Sequence, residues 1–292
     1  MAKYKKPDWK PNDAPNSWNA RKEKKHPEPL KKSSHYPWSS SENVSTSLNH
    51  QGEFSKKIKT LAYSRPLFEV WNDFVMLASC AISNAFDRMN FEQRENLYMR
   101  IISKYRDNDR YVFTELLTLI VDALEKNPDQ DFLGSIFIEL GLANKHNGQY
   151  FTPYDVAKAM AEITLGDVED TLAKSGAVTI HDSCCGSGAL LIASINVARK
   201  KLSCSGVNFQ NVVFVSAQDI DPTVAAMCYI QLSLHGVAGH VKVGNALVEP
   251  VATTDYFENY WFTPMYFSDV WRTRRTIAAF MDLIGGIDNE KI

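Results

Sequence analysis

Three short segments of the chain have residue types and spacing that suit a nucleotide-like ligand. The first runs from Asp182 to Gly188 (DSCCGSG), directly after a β-rich stretch and directly before a helical pattern. Glycine lets the backbone pass close to a ligand, and the start of a helix offers free N–H groups. Alone, such a turn is compatible with a nucleotide-binding site, a methyltransferase site or a plain tight turn.

The other two segments follow the next two β-rich stretches. A carboxylate such as Asp219, at the end of the second strand, can accept hydrogen bonds from both hydroxyls of a ribose. Asp219 and Asp221 can also be explained as helix caps ahead of Pro222, and we expect capping to hold for one of them. Asn245 follows the third stretch, where an amide can read an adenine edge. All three segments are expected to face one crevice.

The elements that would position these residues alternate between strand and helix. The β-rich runs and helical patterns follow each other in the order 178–181, 189–200, 212–217, 222–235 and 240–243. At these lengths the alternation predicts right-handed βαβ units and a parallel sheet. Upstream, apolar residues at helical spacing predict four helices between residues 66 and 142, an all-helical block of about 80 residues.

The first 38 residues differ in charge from the rest of the chain. They carry ten Lys or Arg and four Asp or Glu, a formal charge of +6, whereas the remainder carries −8. A basic arm on an acidic body suits contact with DNA phosphates, and a solvated tail explains the composition equally well. Residues 1–55, rich in Pro, Lys, Ser and Asn, are predicted to form a disordered basic arm.

The composition excludes several classes of protein. An apolar content of 45% and a charged content of 23% are typical of a globular chain. No stretch is long and apolar enough to span a bilayer, and the lysine-rich N-terminus has no apolar block of a secretory signal. The five cysteines are scattered and lack metal-ligand spacing. We therefore expect free thiols, no metal site, no membrane association and a cytoplasmic location.

Together with residues 148–153 (GQYFTP), the three motifs resemble the γ-type N6-adenine DNA methylases, and in particular the modification subunits of type I restriction–modification systems. The resemblance covers residues 65–250, and the order and spacing of its motifs are more specific than any one motif. It implies an α/β fold, with a partial Rossmann-like methyltransferase sheet preceded by a helical domain and the disordered arm. The implied domains are a helical domain at 65–147 and a methyltransferase domain at 148–292, truncated on its C-terminal side.

Carried over residue by residue, the resemblance implies a binding site for S-adenosylmethionine. The implied contacts are Tyr150, Phe151, Thr152 and Pro153 at the methionine end, Asp182, Cys185, Gly186 and Gly188 in the glycine turn around it, Asp219 on the ribose, Ile220 on the adenine ring and Asn245 at the adenine edge. Adjacent Cys184 and Cys185 also raise the possibility of thiol chemistry. The resemblance instead makes Cys185 a small packing residue.

The family's catalytic segment is Asn/Asp/Ser-Pro-Pro-Tyr/Phe, which accepts the hydrogens of the target amine and stacks on the flipped adenine. This tetrapeptide does not occur in the sequence, and the nearest candidate is residues 263–266 (TPMY), after a possible strand at 259–262. In one interpretation Thr263, Pro264 and Tyr266 form a degenerate catalytic segment. In the other, the aromatic residues at 256–271 are a packing cluster.

The resemblance also implies an incomplete sheet. Strands four to seven of the family's sheet are mostly missing, so the first strand is expected to have a bare edge. We expect the aromatic run at 256–271 and the helical pattern at 268–283 to cover it, unless a partner chain does so. In that helical pattern, Arg272, Arg274 and Arg275 could contact phosphate or could lie on a solvated face.

Three functional hypotheses follow. The first is a cytoplasmic DNA adenine-N6 methyltransferase-like protein that binds S-adenosylmethionine and methylates DNA with the help of a specificity subunit or another modification-system protein. The second is a catalytically inactive, methylase-like regulatory or decoy subunit. The third, a dinucleotide-dependent oxidoreductase, is disfavoured because Leu191 stands where a third glycine is expected.

Overall fold

The computed structural model describes residues 42–143, 149–252, 257 and 259–289. Residues 1–41 of the predicted basic arm therefore lie outside the described residues. The same holds for Gly148 of the GQYFTP segment and for Tyr256 of the aromatic run.

A block of helices forms the first part of the described chain. Its five helices are α1 (Glu42–Leu61), α2 (Leu67–Asn84), α3 (Phe91–Ile102), α4 (Asp107–Lys126) and α5 (Phe132–Glu139). Their core is aromatic, since the ring of Phe54 on α1 meets the rings of Trp71, Phe74 and Phe132 at centroid distances of 5.3–5.9 Å. These four side chains are almost completely buried.

Helix α1 corrects the predicted extent of the disordered arm. The prediction of disorder is wrong for residues 42–55, because these residues belong to α1. The first three turns of α1 are almost entirely polar and show no apolar periodicity. Phe54 and Ile58, one helical turn apart, are both fully buried in the core of the helical block.

The second part of the chain holds the sheet. Its elements begin with α6 (Tyr154–Thr164) and α7 (Val168–Ser175) and continue with β1 (Val178–Asp182), α8 (Ala189–Cys204), β2 (Val213–Asp219), α9 (Pro222–Leu234) and β3 (Ala238–Val243). The three strands lie side by side in chain order and pair in parallel. The predicted α/β fold, a Rossmann-like parallel sheet preceded by helices, is therefore confirmed.

Helix α9 joins the two parts of the chain. It is apolar on nearly all sides and buried along almost its whole length, as expected for a helix that is covered all round. Met227 and Ile230 pack into the core of the helical block, whereas Cys228 and Leu232 pack into the core beside the sheet. The domains proposed at 65–147 and 148–292 thus share a packing element, and their boundary stays a prediction.

The C-terminal segment adds a strand at the position of the possible strand predicted at 259–262. Strand β4 (Tyr260–Phe262) pairs antiparallel with β3, and a short 3-10 helix (Pro264–Phe267) and α10 (Asp269–Asn289) follow it. The aromatic run was expected to cover the first strand, and this prediction is wrong because the run pairs with β3 at the opposite side of the sheet. Among the described residues, no strand pairs with the outer side of β1, where Thr179 and His181 are exposed.

Three further properties of the described residues bear on function. None of their helices combines the length and the apolar character needed to cross a lipid bilayer. All five cysteines are free thiols, as predicted. In the same part of the chain, no cluster of three or more His, Cys, Asp or Glu is arranged to hold a metal ion.

Candidate functional site

The carboxyl ends of β1, β2 and β3 open into one crevice of about 740 Å³, which is within the usual size range of small-molecule sites. The segment before α6 closes it from the side. Nine of the eleven predicted cofactor-binding residues line this crevice: Tyr150, Phe151, Thr152, Asp182, Cys185, Gly186, Asp219, Ile220 and Asn245. Pro153 and Gly188, the remaining two, directly follow lining residues in the chain and stand at the starts of α6 and α8.

The glycine turn between β1 and α8 forms the floor of the crevice. Its backbone is fixed to the end of β2, because the N–H of Cys185 donates to the carbonyl of Gln218 at 2.9 Å. The N–H of Gly186 donates to Asp219 Oδ2 at 2.8 Å. Gly186 and Gly188 have φ angles of 53° and 96°, a region that favours glycine. The turn thus requires glycine for its own backbone conformation.

Asp219 is held by backbone donors and still has acceptor capacity. Its Oδ2 accepts from Gly186 and its Oδ1 accepts from the N–H of Asp221 at 3.0 Å. A carboxylate has about four acceptor sites, so each oxygen can accept one more hydrogen bond from a ligand in the crevice. Burial raises the pKa of Asp219 above its ordinary value; the two backbone hydrogen bonds oppose this, and nearby Asp221 and Asp182 add to it.

Asp221 has the capping role that the sequence predicted for one of the two aspartates. Its Oδ1 accepts from the N–H of Thr223 at 2.8 Å and so caps α9. Its Oδ2 accepts from Gln149 Nε2 at 2.5 Å. The Gln149 contact connects the segment before α6 to the end of β2, and it was not predicted from the sequence.

Asn245 lies at the mouth of the crevice and is partly used by its own turn. Its Oδ1 accepts from the N–H of Leu247 at 3.0 Å, which is the local hydrogen bond of an Asx turn. This arrangement turns the amide oxygen toward the backbone. The two donors of its Nδ2 make no hydrogen bond to a described residue, so they can donate to a ligand.

The rim of the crevice is apolar, whereas its floor is acidic. Tyr150, Ile220 and Leu247 line the crevice and are 80%, 67% and 95% exposed. Phe151 is half-buried and stacks edge-on against Phe137 of α5 at 5.6 Å. Leu247 was not among the predicted contacts.

Residues 263–266 do not reach the crevice. Strand β4 runs antiparallel to β3, so the chain after Phe262 leaves the sheet at the end opposite to Asn245. There the buried Thr263 accepts from the N–H of Gly239 at 3.0 Å and donates to the carbonyl of Val237 at 2.7 Å. Its hydroxyl is therefore committed to the sheet backbone.

Pro264 and Tyr266 belong to the same packed end of the sheet. The Tyr266 ring lies 4.3 Å from that of Phe262 and beneath the guanidinium of Arg275, and Pro264 begins the short 3-10 helix. This placement agrees with the packing-cluster interpretation. Thr263, Pro264 and Tyr266 are therefore not carried forward as catalytic residues.

The three arginines of α10 are engaged in contacts within the chain. Arg275 lies over Tyr266 at 3.6 Å from the ring centroid, and Arg274 donates to the carbonyl of Gly176 at 2.8 Å. Arg272 pairs with Asp269 at 3.1 Å. Since each guanidinium already has a partner, this cluster is a weak basis for a phosphate-binding surface.

The arrangement of the glycine turn and the three strand ends agrees with comparison to known proteins. The family model described as N-6 DNA Methylase matches residues 135–286, which is more than half of the chain and includes the whole sheet. The chain belongs to the N-6 DNA methylase family.

A curated protein supports the same relationship. The methylase-family chain is 29% identical over 132 residues to the "Type I restriction enzyme MpnII methylase subunit" of Mycoplasma pneumoniae. The matched region is 43% of this chain and 22% of that protein. The chain therefore spans less than a quarter of the length of this relative.

The glycine turn of this N-6 DNA methylase chain allows a first test. A side chain at Gly188 would require a strained φ of 96° and would place its Cβ 3.0 Å from Cys228 Sγ. We expect Gly188→Ala to lower the free energy of unfolding by about 1–3 kcal/mol, measured by denaturant titration. Gly206 also has a positive φ but nothing within 4 Å, so Gly206→Ala is the control for strain alone. Equal losses in both variants would contradict a crowded turn.

Proposed function

We propose that the crevice binds S-adenosylmethionine. The main support is its charge: the described lining residues include Asp182, Asp219 and Asp221 and no Lys, Arg or His. S-adenosylmethionine carries a sulfonium and an ammonium group, which such a site attracts. A dinucleotide carries a pyrophosphate, which three carboxylates disfavour. The same charge pattern therefore argues against the oxidoreductase hypothesis.

The residues of the crevice suggest how the cofactor is held. Asp219 accepts from the ribose hydroxyls with its remaining acceptor sites. The amide Nδ2 of Asn245 donates to the adenine edge, and Ile220 covers one face of the ring. Tyr150, Phe151, Thr152 and Pro153 lie along the methionine end, and Asp182, Cys185, Gly186 and Gly188 form the turn around it. The cofactor supplies an electrophilic methyl group.

We further propose that the chain takes part in methylation of adenine N6 in DNA, in the cytoplasm and together with a partner. The lone pair of that amine is delocalised into the ring, so groups that accept its hydrogens are needed. The sequence lacks the Pro-Pro-Tyr/Phe tetrapeptide, and residues 263–266 are placed away from the crevice. A specificity subunit or another modification-system protein is the proposed source of those groups and of contacts that choose the DNA target.

The same observation favours a second candidate function. This candidate is a catalytically inactive regulatory or decoy subunit, and its support is that residues 263–266 pack away from the crevice. The two candidates differ in one respect, namely whether methyl transfer occurs when the partner is present.

Two measurements on the purified full chain test these proposals. In calorimetric titrations we expect S-adenosylmethionine to saturate one site and NAD to give no binding. If NAD binds instead, the cofactor proposal is wrong. The second measurement is transfer of a tritiated methyl group to adenine-containing DNA. We expect the chain by itself to give only background incorporation, and the chain with its partner to give clear incorporation. Background incorporation under both conditions, with cofactor binding intact, would favour the inactive subunit.

A further inference from the structure

Three buried polar side chains meet at the glycine turn, and the two that lie outside the turn do not line the crevice. They are Asp131 at the start of α5, Gln231 on α9 and Ser187 in the turn itself, with exposed fractions of 5%, 0% and 1%. Ser187 donates its hydroxyl to Asp131 Oδ2 at 2.5 Å. Gln231 Nε2 donates both to Asp131 Oδ1 at 2.8 Å and to the Ser187 carbonyl at 2.9 Å. The three residues thus form a closed ring of hydrogen bonds.

The ring is also fastened to helix α5. Asp131 Oδ1 accepts from the N–H of Gly134 at 2.9 Å, and Gln231 Oε1 accepts from the N–H of Leu133 at 3.1 Å. Gly134 permits this contact, because a Cβ there would collide with both Asp131 Oδ2 and Ser187 Oγ. Helix α5 therefore lies directly against the turn.

The ring acts on the residue between the two glycines of the turn. Ser187 is held at its hydroxyl, which restrains its side chain, and at its carbonyl, which restrains the peptide plane between Ser187 and Gly188. On one side of Ser187 is Gly186, whose N–H donates to Asp219. On the other is Gly188, which begins α8 with a left-handed φ. Loss of the Ser187 hydrogen bonds would let the backbone of Gly186 and Gly188 adopt other conformations, because glycine is the residue with the fewest conformational restraints.

We infer that Asp131 and Gln231 are positioning residues, which keep the glycine turn and Asp219 in the shape that receives a ligand. They do not line the crevice and act only through Ser187 and Gly186. The consequence for cofactor affinity rests on the proposed function. The effect on the turn itself can be measured without any cofactor.

A simpler role for Asp131 is to cap α5, and a matched helix in the same chain separates the two roles. Helix α7 is also eight residues long, and its N-cap Asp167 accepts from the N–H of Asp170 at 2.9 Å, just as Asp131 accepts from Gly134. Asp167 does not line the crevice. Asp167→Ala therefore removes a cap without touching the turn.

The experiment compares Ser187→Ala, Asp131→Ala and Asp167→Ala in the full chain. Ser187→Ala leaves the cap of α5 in place, so it keeps the inference testable if Asp131→Ala does not fold. The first readout is hydrogen–deuterium exchange of the amides at 186–188 without ligand. The second is the Kd for S-adenosylmethionine.

We expect Ser187→Ala, which loses one hydrogen bond, to speed exchange at 186–188 by about tenfold and to raise Kd by about tenfold. Asp131→Ala loses three hydrogen bonds, so its effects should be at least as large. Asp167→Ala should change neither. If exchange in Ser187→Ala equals that of the wild type, the inference is wrong, whatever the cofactor result. If the wild type does not bind S-adenosylmethionine, the proposed function fails, and faster exchange would still support the positioning role.

Discussion

Replacing Arg94 with alanine is expected to lower the free energy of unfolding by about 3–5 kcal/mol, the usual effect of removing one partner of a buried ion pair. Arg94 is 5% exposed and pairs with the buried Asp87 at 2.7 Å. Its guanidinium also donates to Ser83 and to the Tyr260 carbonyl, and lies 4.4 Å from the Trp261 ring centroid. One side chain thus ties the helical block to β4.

The matched control is an arginine whose ion pair is exposed. Arg272 pairs with Asp269 at 3.1 Å, and both side chains are largely exposed. We expect Arg272→Ala to change the free energy of unfolding by less than about 1 kcal/mol. Urea or guanidinium denaturation of the three proteins measures both effects. A loss for Arg94→Ala as small as that for Arg272→Ala would show that β4 is held without this contact.

Replacing Asp219 with alanine is expected to weaken binding of S-adenosylmethionine by about 1–3 kcal/mol, which is roughly five- to 150-fold in Kd. The variant removes the acceptor sites proposed for the ribose and also the anchor of the Gly186 N–H. The control is Asp221→Ala, because its carboxylate caps α9 through Thr223 and holds Gln149, and no ligand contact is proposed for it. Its Kd should change less than threefold. Equal affinities of wild type and Asp219→Ala would place the ribose contact elsewhere.

The pH dependence of binding gives an independent check on Asp219. Only the ionised carboxylate keeps both of its remaining acceptor sites for ribose hydroxyls, so affinity should fall as the pH falls through its pKa. Burial raises the pKa of Asp219, so the fall should begin at a higher pH than for an exposed aspartate. Calorimetry from neutral to mildly acidic pH should show this dependence in the wild type and a weaker one in Asp219→Ala.

The residues of the candidate site could be predicted from the sequence where each motif directly follows a recognisable strand. The glycine turn, the acidic end of β2 and the amide after β3 each sit beside a strand of alternating or continuous apolar residues. Parallel βαβ units necessarily bring such strand ends together, so nine of eleven predicted contacts line one crevice. The proline after Asp221 likewise indicated the cap on α9.

The parts that the sequence could not predict depend on distant residues. Helix α1 is stable because Phe54 packs among rings from α2 and α5, and nothing in its polar first turns indicates this. The direction of β4 is set by contacts such as that between Arg94 and the Tyr260 carbonyl, 166 residues apart in the chain. The hydrogen-bond ring at the glycine turn is of the same kind, because Asp131 and Ser187 lie 56 residues apart in the chain.

The most direct measurement is a crystal structure of the full chain grown with S-adenosylhomocysteine, the demethylated form of the proposed cofactor. We expect density with the ribose hydroxyls on Asp219, the adenine ring between Ile220 and Asn245, and the amino-acid end beside Phe151 and Gly186. A crevice that stays empty at saturating ligand, or a ligand bound away from these residues, would contradict this expectation.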